Sequence, residues 1–502
     1  MLRVDASPRM GTGHFMRCLT LADALARRGA KCVFLSRGLP NHLGQLLQSR
    51  GHELFRLPMR DGDSTDAVLA HSDWLGTTQQ ADAEDSLAAL GAQTWDWLVV
   101  DHYALDHCWE AKLRQVAHKI LVIDDLADRE HDCDLLLDQN LYHDMLSRYD
   151  AKVPQACRRL LGPRFALLRD EFREARASLR PRDQEVKRVL VFFGGVDERN
   201  FTGQALAALV AVGRKGFEVD VVLGALHPQR EAIEALCLAE KFQCHVQTTR
   251  MAELMANADL AIGAGGGATW ERCCLGLVTL ALSTADNQRK QLEDAAAQGL
   301  VYALPPASHL SEQLAFHLQA LLENCGLRKM ISSVSLKAVD GLGAQRVAAC
   351  MGCTGISVRL ANAQDSQALH RWRNHPSIRM VSRDTREIAW EDHSRWFEAV
   401  LEDQGRLVLI GEYEGEPVGV VRFDLDAKGH AEVSIYLVPE GNSRCRGGDL
   451  LQSAEDWVVR HRGDIQLLHA YVKGFNKRSN GLFVAAGYEV DNTRFSKKLH
   501  EL

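Results

Sequence analysis

No stretch of this chain is apolar for long enough to cross a bilayer, and its front has neither the charged start nor the apolar core of a secretory signal. The cytosol is therefore the expected compartment, and no membrane partner is expected. A cysteine framework is missing too: the 13 thiols are scattered through long helical and strand patterns, unlike those of a small secreted domain. Cys350 and Cys353 form one C-x-x-C, but no second pair stands at zinc-site spacing, so the stretch reads as a connector. Nor is there an excess of positive charge. The 59 Lys and Arg against 66 Asp and Glu give a net charge of −7, which argues against general nucleic-acid binding and leaves small anionic ligands open.

What is present is a globular composition, 46% hydrophobic and 25% charged, over 502 residues, enough for two or three cores. In residues 1–145, β-rich runs such as "KCVFLS", "WLVVDHY" and "KILVIDDL" alternate with amphipathic stretches, the pattern of a parallel sheet with helices on its faces. Phe15, Leu19, Ala22 and Ala26 recur at helical spacing and Gly29 follows as a stop. The opening strand, Leu2 to Asp5, is very short; either a few residues precede it or the strand is abbreviated.

Residues 146–187, rich in Arg and Asp, read as a crossover, and residues 188–347 repeat the alternation through "VKRVLVFFGGVDERN", "FEVDVVLG" and "ADLAIGAGGGATWERCCLGL". After a connector at 348–355, residues 356–502 change to an α+β pattern containing the hairpin-like "RLVLIGEYEGEPVGVVRFDL". The expected fold class is α/β: two Rossmann-like lobes with a ligand cleft beyond the carboxyl ends of their strands, then an α+β domain.

The turn Gly11-Thr12-Gly13 opens the first helix, but Phe15 and Met16 stand where a dinucleotide fingerprint needs its third glycine, and no acidic residue closes the second strand. NAD is not expected. An imidazole at that turn, His14, points to proton transfer instead. Asp101, His102 and Tyr103 end one strand and Asp124 and Asp125 the next, so five polar groups are expected to converge in one crevice. Their spacing follows strand ends and not a ligand motif, so no metal is expected. In the second lobe Gly265, Gly266 and Gly267 permit close backbone approach to an anion, and Glu271, one turn into the helix, suits two hydroxyls of a ribose. The competing reading is that a glycine here only lets helix and strand pack.

"DASPRMGTGHFMRCLTLADAL", "VVDHYALD", "VIDDLADREHDCDLLLDQN", "LLGPRFALLRDEF", "FFGGVDERN", "GAGGGATWERCCLGL" and "ADNQ" together resemble the UDP-sugar hydrolases of pseudaminic acid biosynthesis, over residues 1–345. That family is similar to the GT-B, MurG-like glycosyltransferases with two Rossmann-like lobes. It hydrolyses UDP-2,4-diacetamido-2,4,6-trideoxy-β-L-altropyranose to UDP and the free sugar. The resemblance implies that His14 activates water, with Tyr103 and Asp101 lining the site. It places Asn287 and Gln288 near sugar and nucleotide, and adds Gly11, Gly13, Arg17 and Thr269 to the substrate-binding set.

"AEVSIYLVPEGNSRCRGGDLLQSAEDW" and "LLHAYVKGFNKRSNGLFVAAGYE" resemble the acetyl-CoA-dependent acetyltransferases of the GNAT fold, over residues 356–502, and "RWRNHPSIRMVS" and "HSRWFEAV" their sugar-amine branch. This implies acetyl-CoA as co-substrate, held by Ile435, Leu437, Arg444, Arg446, Gly447, Gly448, Asn476 and Ser479. Glu432 is the candidate base and His393 a candidate substrate contact. Two departures stand out. The family's glycine turn offers Asn442, Cys445 and Gly447 here, and Phe483 occupies a place where many relatives carry tyrosine. Acetylation of a 4-amino UDP-sugar would supply the hydrolase's substrate. The alternatives are a glycosyltransferase of the same fold, a hydrolase for a related diacetamido sugar, and a UDP-sugar sensor without catalysis. No interface signal fixes an oligomeric state.

Overall fold

The computed structural model describes residues 1–7, 10–60, 69–180, 182, 185–213, 216–285, 288–304, 310–353, 355–413, 415–439, 447–491 and 494–498. They fall into two compact units, residues 1–23 with 32–347, and residues 24–31 with 348–502.

The first unit holds two parallel sheets. In the first, β1 (Leu2–Val4), β2 (Val33–Arg37), β3 (Glu53–Leu57), β4 (Trp95–Asp101), β5 (Ala117–Ile123), β6 (Leu135–Asp138) and β7 (Arg158–Leu161) stand in the order β3-β2-β1-β4-β5-β6-β7. Short as it is, β1 lies inside the sheet, paired with both β2 and β4. Strands covered on both faces read as continuous apolar runs, which is why β2, β4 and β5 were legible.

Strand β7 corrects the expected crossover at 146–187, because it extends the first sheet. Its sequence, Arg-Arg-Leu-Leu, is that of an edge strand whose arginines stay partly in water, and that composition hid it. The helix Gly343–Cys350 runs into the stretch 348–355, and the two units divide between Val347 and Ala348.

The second sheet comprises β8 (Arg188–Phe192), β9 (Glu218–Leu223), β10 (Gln243–Val246), β11 (Leu260–Ala264), β12 (Val278–Leu282) and β13 (Tyr302–Ala303), in the order β10-β9-β8-β11-β12-β13. Both orders reverse direction once, between β1 and β4 and between β8 and β11. A parallel sheet opens its ligand crevice at such a reversal.

In the second unit, β14 (Ser357–Leu360), β15 (Arg406–Tyr413), β16 (Glu416–Leu425), β17 (His430–Leu437), β18 (Leu467–Tyr471), β19 (Glu489–Asp491) and β20 (Arg494–Lys498) form one sheet, ordered β14-β15-β16-β17-β18-β20-β19. It is antiparallel except between β17 and β18. One face packs on Leu450, Leu451, Ala454 and Val458 of the helix Gly447–His461. The other packs on Leu369 and Trp372 of the helix Ser366–Asn374 and on Phe397 and Val400 of the helix Trp390–Glu402.

A buried charge network fixes the first lobe. Asp82, fully buried in the first turn of the helix Gln79–Leu90, accepts from Arg3 Nε (3.1 Å) and Nη2 (2.8 Å), Arg37 Nε (3.2 Å) and Nη2 (3.0 Å), and Trp109 Nε1 (3.0 Å). Asp5 takes Arg3 Nη1 at 2.6 Å and the Arg37 amide at 2.7 Å. Removing one partner of such a cluster leaves buried charge uncompensated, so Asp82→Asn is expected to cost about 3–5 kcal/mol in urea unfolding. Glu253→Gln, which breaks an exposed pair with Arg250, is expected to leave the unfolding midpoint where it is.

Candidate active sites

At the end of β1 the chain turns tightly. The Gly11 amide donates to Ser7 O at 2.8 Å, and Gly11 holds a φ of +73°, which a side chain would strain. The helix Gly13–Ala26 starts there and sends His14 and Arg17 toward the end of β4 across the sheet reversal.

Asp101, the last residue of β4 and fully buried, accepts from His14 Nδ1 at 2.6 Å and from Arg17 Nε at 2.6 Å and Nη2 at 2.7 Å. Burial alone would lift this carboxyl, but Arg17 and then His14 outweigh it and hold it well below the usual carboxylate range. With Asp101 ionised, the Nδ1 of His14 donates to it, and in the neutral ring this leaves the lone pair on Nε2. Arg17 Nη1 also donates to Asp125 Oδ2 at 3.1 Å, and the Tyr103 hydroxyl makes a short hydrogen bond to Asp125 Oδ1. Burial, and then the charge of Asp125, push that hydroxyl well above the ordinary phenol range, so Tyr103 stays a donor.

His14, Arg17, Tyr103 and Asp125 line one cleft together with Gly13. Three of the five groups expected to converge do not line it: Asp101 stands behind His14 and Arg17, fully buried, and the other two turn away. His102 turns its Nε2 toward Asp5 at 3.3 Å, and Asp124 pairs with Arg129 at 2.9 Å. Both lie just past strand ends, and the buried charges beneath the turns claim them. Sequence reading missed the ring support: Tyr103 meets His14 edge-on at 4.6 Å, and Trp74 stacks on Tyr103 at 5.5 Å. Trp74 sits in a 3₁₀ turn outside every motif, so nothing local marked it.

The opposite wall comes from the second lobe: Phe192, Phe193 and Gly194 after β8, and Ala264, Gly266, Gly267, Ala268 and Glu271 after β11. The three glycines differ. A Cβ on Gly265 would press on Leu292 at 3.2 Å and one on Gly266 on Gln288 Nε2 at 3.2 Å, while one on Gly267 would meet nothing within 4 Å. Packing thus explains Gly265, which does not line the cleft, and Gly267 alone faces open room. Thr269 is corrected too: it is buried, with its Oγ1 accepting from Arg272 Nη2 at 3.3 Å. Glu271 does face the cleft, 3.5 Å from Arg169 Nη2, and burial raises its carboxyl above the ordinary range despite that neighbour. Gln288 lines the cleft with its Oε1 accepting from Thr284 Oγ1 at 3.0 Å. Asn287 lies outside the described residues. Gln291, not singled out from sequence, lines the cleft with a buried Nε2 that has no partner among the described residues.

The second site lies in the α+β unit. His430–Glu432 of β17 pair with Leu467–His469 of β18, and beyond that point β17 runs on to Leu437 with no partner on that side among the described residues. The two strands splay apart into a V. A pocket beside it is lined by Glu432, Ser434, Ile435 and Tyr436 of β17, Arg373, Arg383 and Arg422, His393, Asn476, Ser479 and Phe483.

Glu432 stands on an interior strand, 2.6 Å from Arg383 Nη2, and Arg383 lies over the Tyr471 ring at 4.6 Å. His393 Nε2 donates to Ser366 O at 2.9 Å, and burial holds its pKa below the usual range, leaving Nδ1 unprotonated near neutrality. Asn476 caps the helix Lys477–Ala485 through Ser479 N at 3.2 Å. Phe483 is buried edge-on to Tyr488 at 5.0 Å. Leu437 packs on the core beside this pocket without lining it. Gly447 and Gly448 start the helix Gly447–His461; Asn442, Arg444, Cys445 and Arg446 lie outside the described residues.

Among the described residues, the group of three ligand-type side chains close enough to share an ion is Asp106, His107 and Cys108. It stands apart from both sites, and Asp106 already accepts from the Cys108 amide at 2.9 Å.

Residues 367–488 match the model of the acetyltransferase (GNAT) family. Along 97% of its length the chain is similar, at 20% identity, to an uncharacterised protein of Methanocaldococcus jannaschii, covering 95% of it. Over 42% of the chain it is 24% identical to the UDP-2,4-diacetamido-2,4,6-trideoxy-β-L-altropyranose hydrolase of Campylobacter jejuni, and over 16% it is 25% identical to acetyltransferase PseH of the same organism. The chain spans 65% of that hydrolase and 50% of PseH. A hydrolase-like first part is thus fused to a GNAT part.

Behind the first cleft, Asp138 at the end of β6 accepts from the Asn140 amide at 2.9 Å and from Tyr149 OH at 3.0 Å. Burial, and then Asp125, push its carboxyl up to about 8. An unfolded aspartate releases its proton near pH 4, so between about pH 4 and 8 the folded chain holds a proton that the unfolded chain has lost. Stability contributed by this group is full below pH 4 and falls as pH rises through 8, by at most about 1.4 kcal/mol per pH unit. From pH 5 to pH 8, wild type is expected to lose more urea resistance than Asp138→Asn.

Proposed function

We propose that this fusion of a hydrolase-like part with a GNAT acetyltransferase part runs two steps on one UDP-sugar. The GNAT part acetylates the 4-amino group of a UDP-4-amino sugar with acetyl-CoA. The first part then hydrolyses UDP-2,4-diacetamido-2,4,6-trideoxy-β-L-altropyranose to UDP and the free sugar. The observation that carries the hydrolytic step is the His14–Asp101 pair at 2.6 Å, opening on a cleft whose far wall holds Glu271 and Gly267.

Asp101 fixes the tautomer of His14, so Nε2 takes a proton as water attacks the oxocarbenium-like anomeric carbon. UDP departs with the pair of electrons of the C–O bond and needs no strong acid. Glu271 holds the ribose, the glycine turn takes the diphosphate, and Tyr103, Asn287 and Gln288 address the sugar. The aligned Asp101, His14 and Arg17 side chains favour turnover over a sensor that only binds.

In the acetyl step acetyl-CoA would lie along Ile435 to Leu437 of β17, whose side away from β16 has no strand partner among the described residues and offers N–H and C=O groups to an extended chain. Arg444, Arg446, Gly447, Gly448, Asn476 and Ser479 complete its site in this reading. Glu432, paired with Arg383, takes a proton from the sugar ammonium directly or through water. The amine nitrogen then bonds to the acetyl carbon as the C–S bond breaks. Phe483 has no hydroxyl, so the thiolate leaves as the anion and is protonated by solvent.

UDP release from the diacetamido sugar is expected in wild type and should fall about 100-fold or more in His14→Ala, the worth of a general base. No release by wild type would remove the substrate assignment. With the 4-amino precursor, release is expected only when acetyl-CoA is added; release without it would break the order of steps. Acetyl-CoA alone is expected to raise the melting temperature of the wild type and not that of a chain ending before residue 348.

A further inference from the structure

The reading above divides the reaction between two lobes: the nucleotide is held by the second and the base stands on the first. Distance between base and anomeric carbon therefore depends on how the lobes are tied, and about 1 Å of misplacement can cost two decades in rate. Most polar ties across the cleft are weak. Lys290 with Asp144 at 3.0 Å and the His143 amide with Asp294 at 3.0 Å are exposed.

One tie is buried. Trp270, fully buried in the same helix as Glu271, donates from Nε1 to Asn140 Oδ1 at 2.9 Å. Asn140 is itself buried just past β6, and its Nδ2 donates to Asp125 Oδ2 at 3.3 Å. Asp125 takes Arg17 at 3.1 Å on the same oxygen and the Tyr103 hydroxyl on the other, and Arg17 clamps the carboxylate that orients His14. The chain of donors is continuous from the nucleotide-side helix to the counter-ions of the base.

We infer that Asn140 is a positioning residue, joining Trp270 to Asp125 so that the lobe holding the nucleotide is registered against His14. It lines the cleft, and in this role it acts through Trp270 and Asp125. Its amide suits the task because it donates and accepts at once: the oxygen meets an indole N–H that can only donate, the nitrogen a carboxylate that can only accept. An aspartate in its place would repel Asp125, and an alanine would leave the Trp270 N–H without a partner.

The inference rests on the hydrolase reading, and its test keeps the two apart. UDP binding by calorimetry and UDP release from the diacetamido sugar are measured for wild type, Trp270→Phe, Asn140→Ala and the double variant. Trp270→Phe removes the N–H while keeping a large ring in the core, so the test stands even where Asn140→Ala folds poorly. Each single change is expected to lower kcat about 10-fold and leave the Kd for UDP within about twofold, and the double variant to be no slower than the slower single. Wild-type kcat in Trp270→Phe, a loss of UDP affinity that matches the loss of kcat, or additive losses in the double variant would each overturn the positioning role. A wild type that neither binds nor releases UDP would remove the hydrolase reading and this inference with it.

Discussion

The first site is organised by the need of one carboxylate for counter-charge. Asp101 has no exposed surface, and an ion without water must be paired and hydrogen-bonded where it sits. Arg17 meets it through two nitrogens, and that bidentate clamp sets the rotation of the helix Gly13–Ala26 about its axis. His14, three residues earlier on the same helix, is thereby brought to the other lone pairs of the same carboxylate. The tautomer, the orientation of Nε2 and the placement of Asp125 all follow from satisfying that single buried charge.

Architecture supplies what side chains alone could not. Each parallel sheet reverses its strand order once, and each reversal contributes loops to one cleft. His14 and Arg17 come from the helix after β1 and Tyr103 from the loop after β4, while Gly266, Gly267 and Glu271 come from the turn and helix after β11. Separate origins let the charged network around Asp101 and the wall that carries Glu271 be built without forcing like charges into one turn.

Much of this was legible because its physical signals are local. An apolar run that ends in Asp, as "WLVVDHY" does, marks a buried strand and a polar group at its carboxyl end, and the structure places Asp101 there. Helical spacing located the helix that carries His14. Side-chain direction past a strand end was not legible: His102 and Tyr103 are neighbours, yet one turns to Asp5 and the other to the cleft. Thr269 and Gln291 exchanged roles for the same reason, since facing a pocket depends on which buried partners claim a side chain first. Strand β7 was hidden because edge strands dilute the apolar signal with arginine, and Arg383 because its partners Glu432 and Tyr471 are distant in sequence.

The V between β17 and β18 has a bearing on colloidal behaviour. A strand with unpaired N–H and C=O groups invites any extended peptide to add itself, the route by which sheets seed self-association. Ordinary edges are guarded by charge placed along them, and here Arg373, Arg383 and Lys473 line the pocket beside the opening. Such cations repel a basic peptide and attract an anionic one. The side chains that give this pocket its positive charge thus also guard the open side of β17.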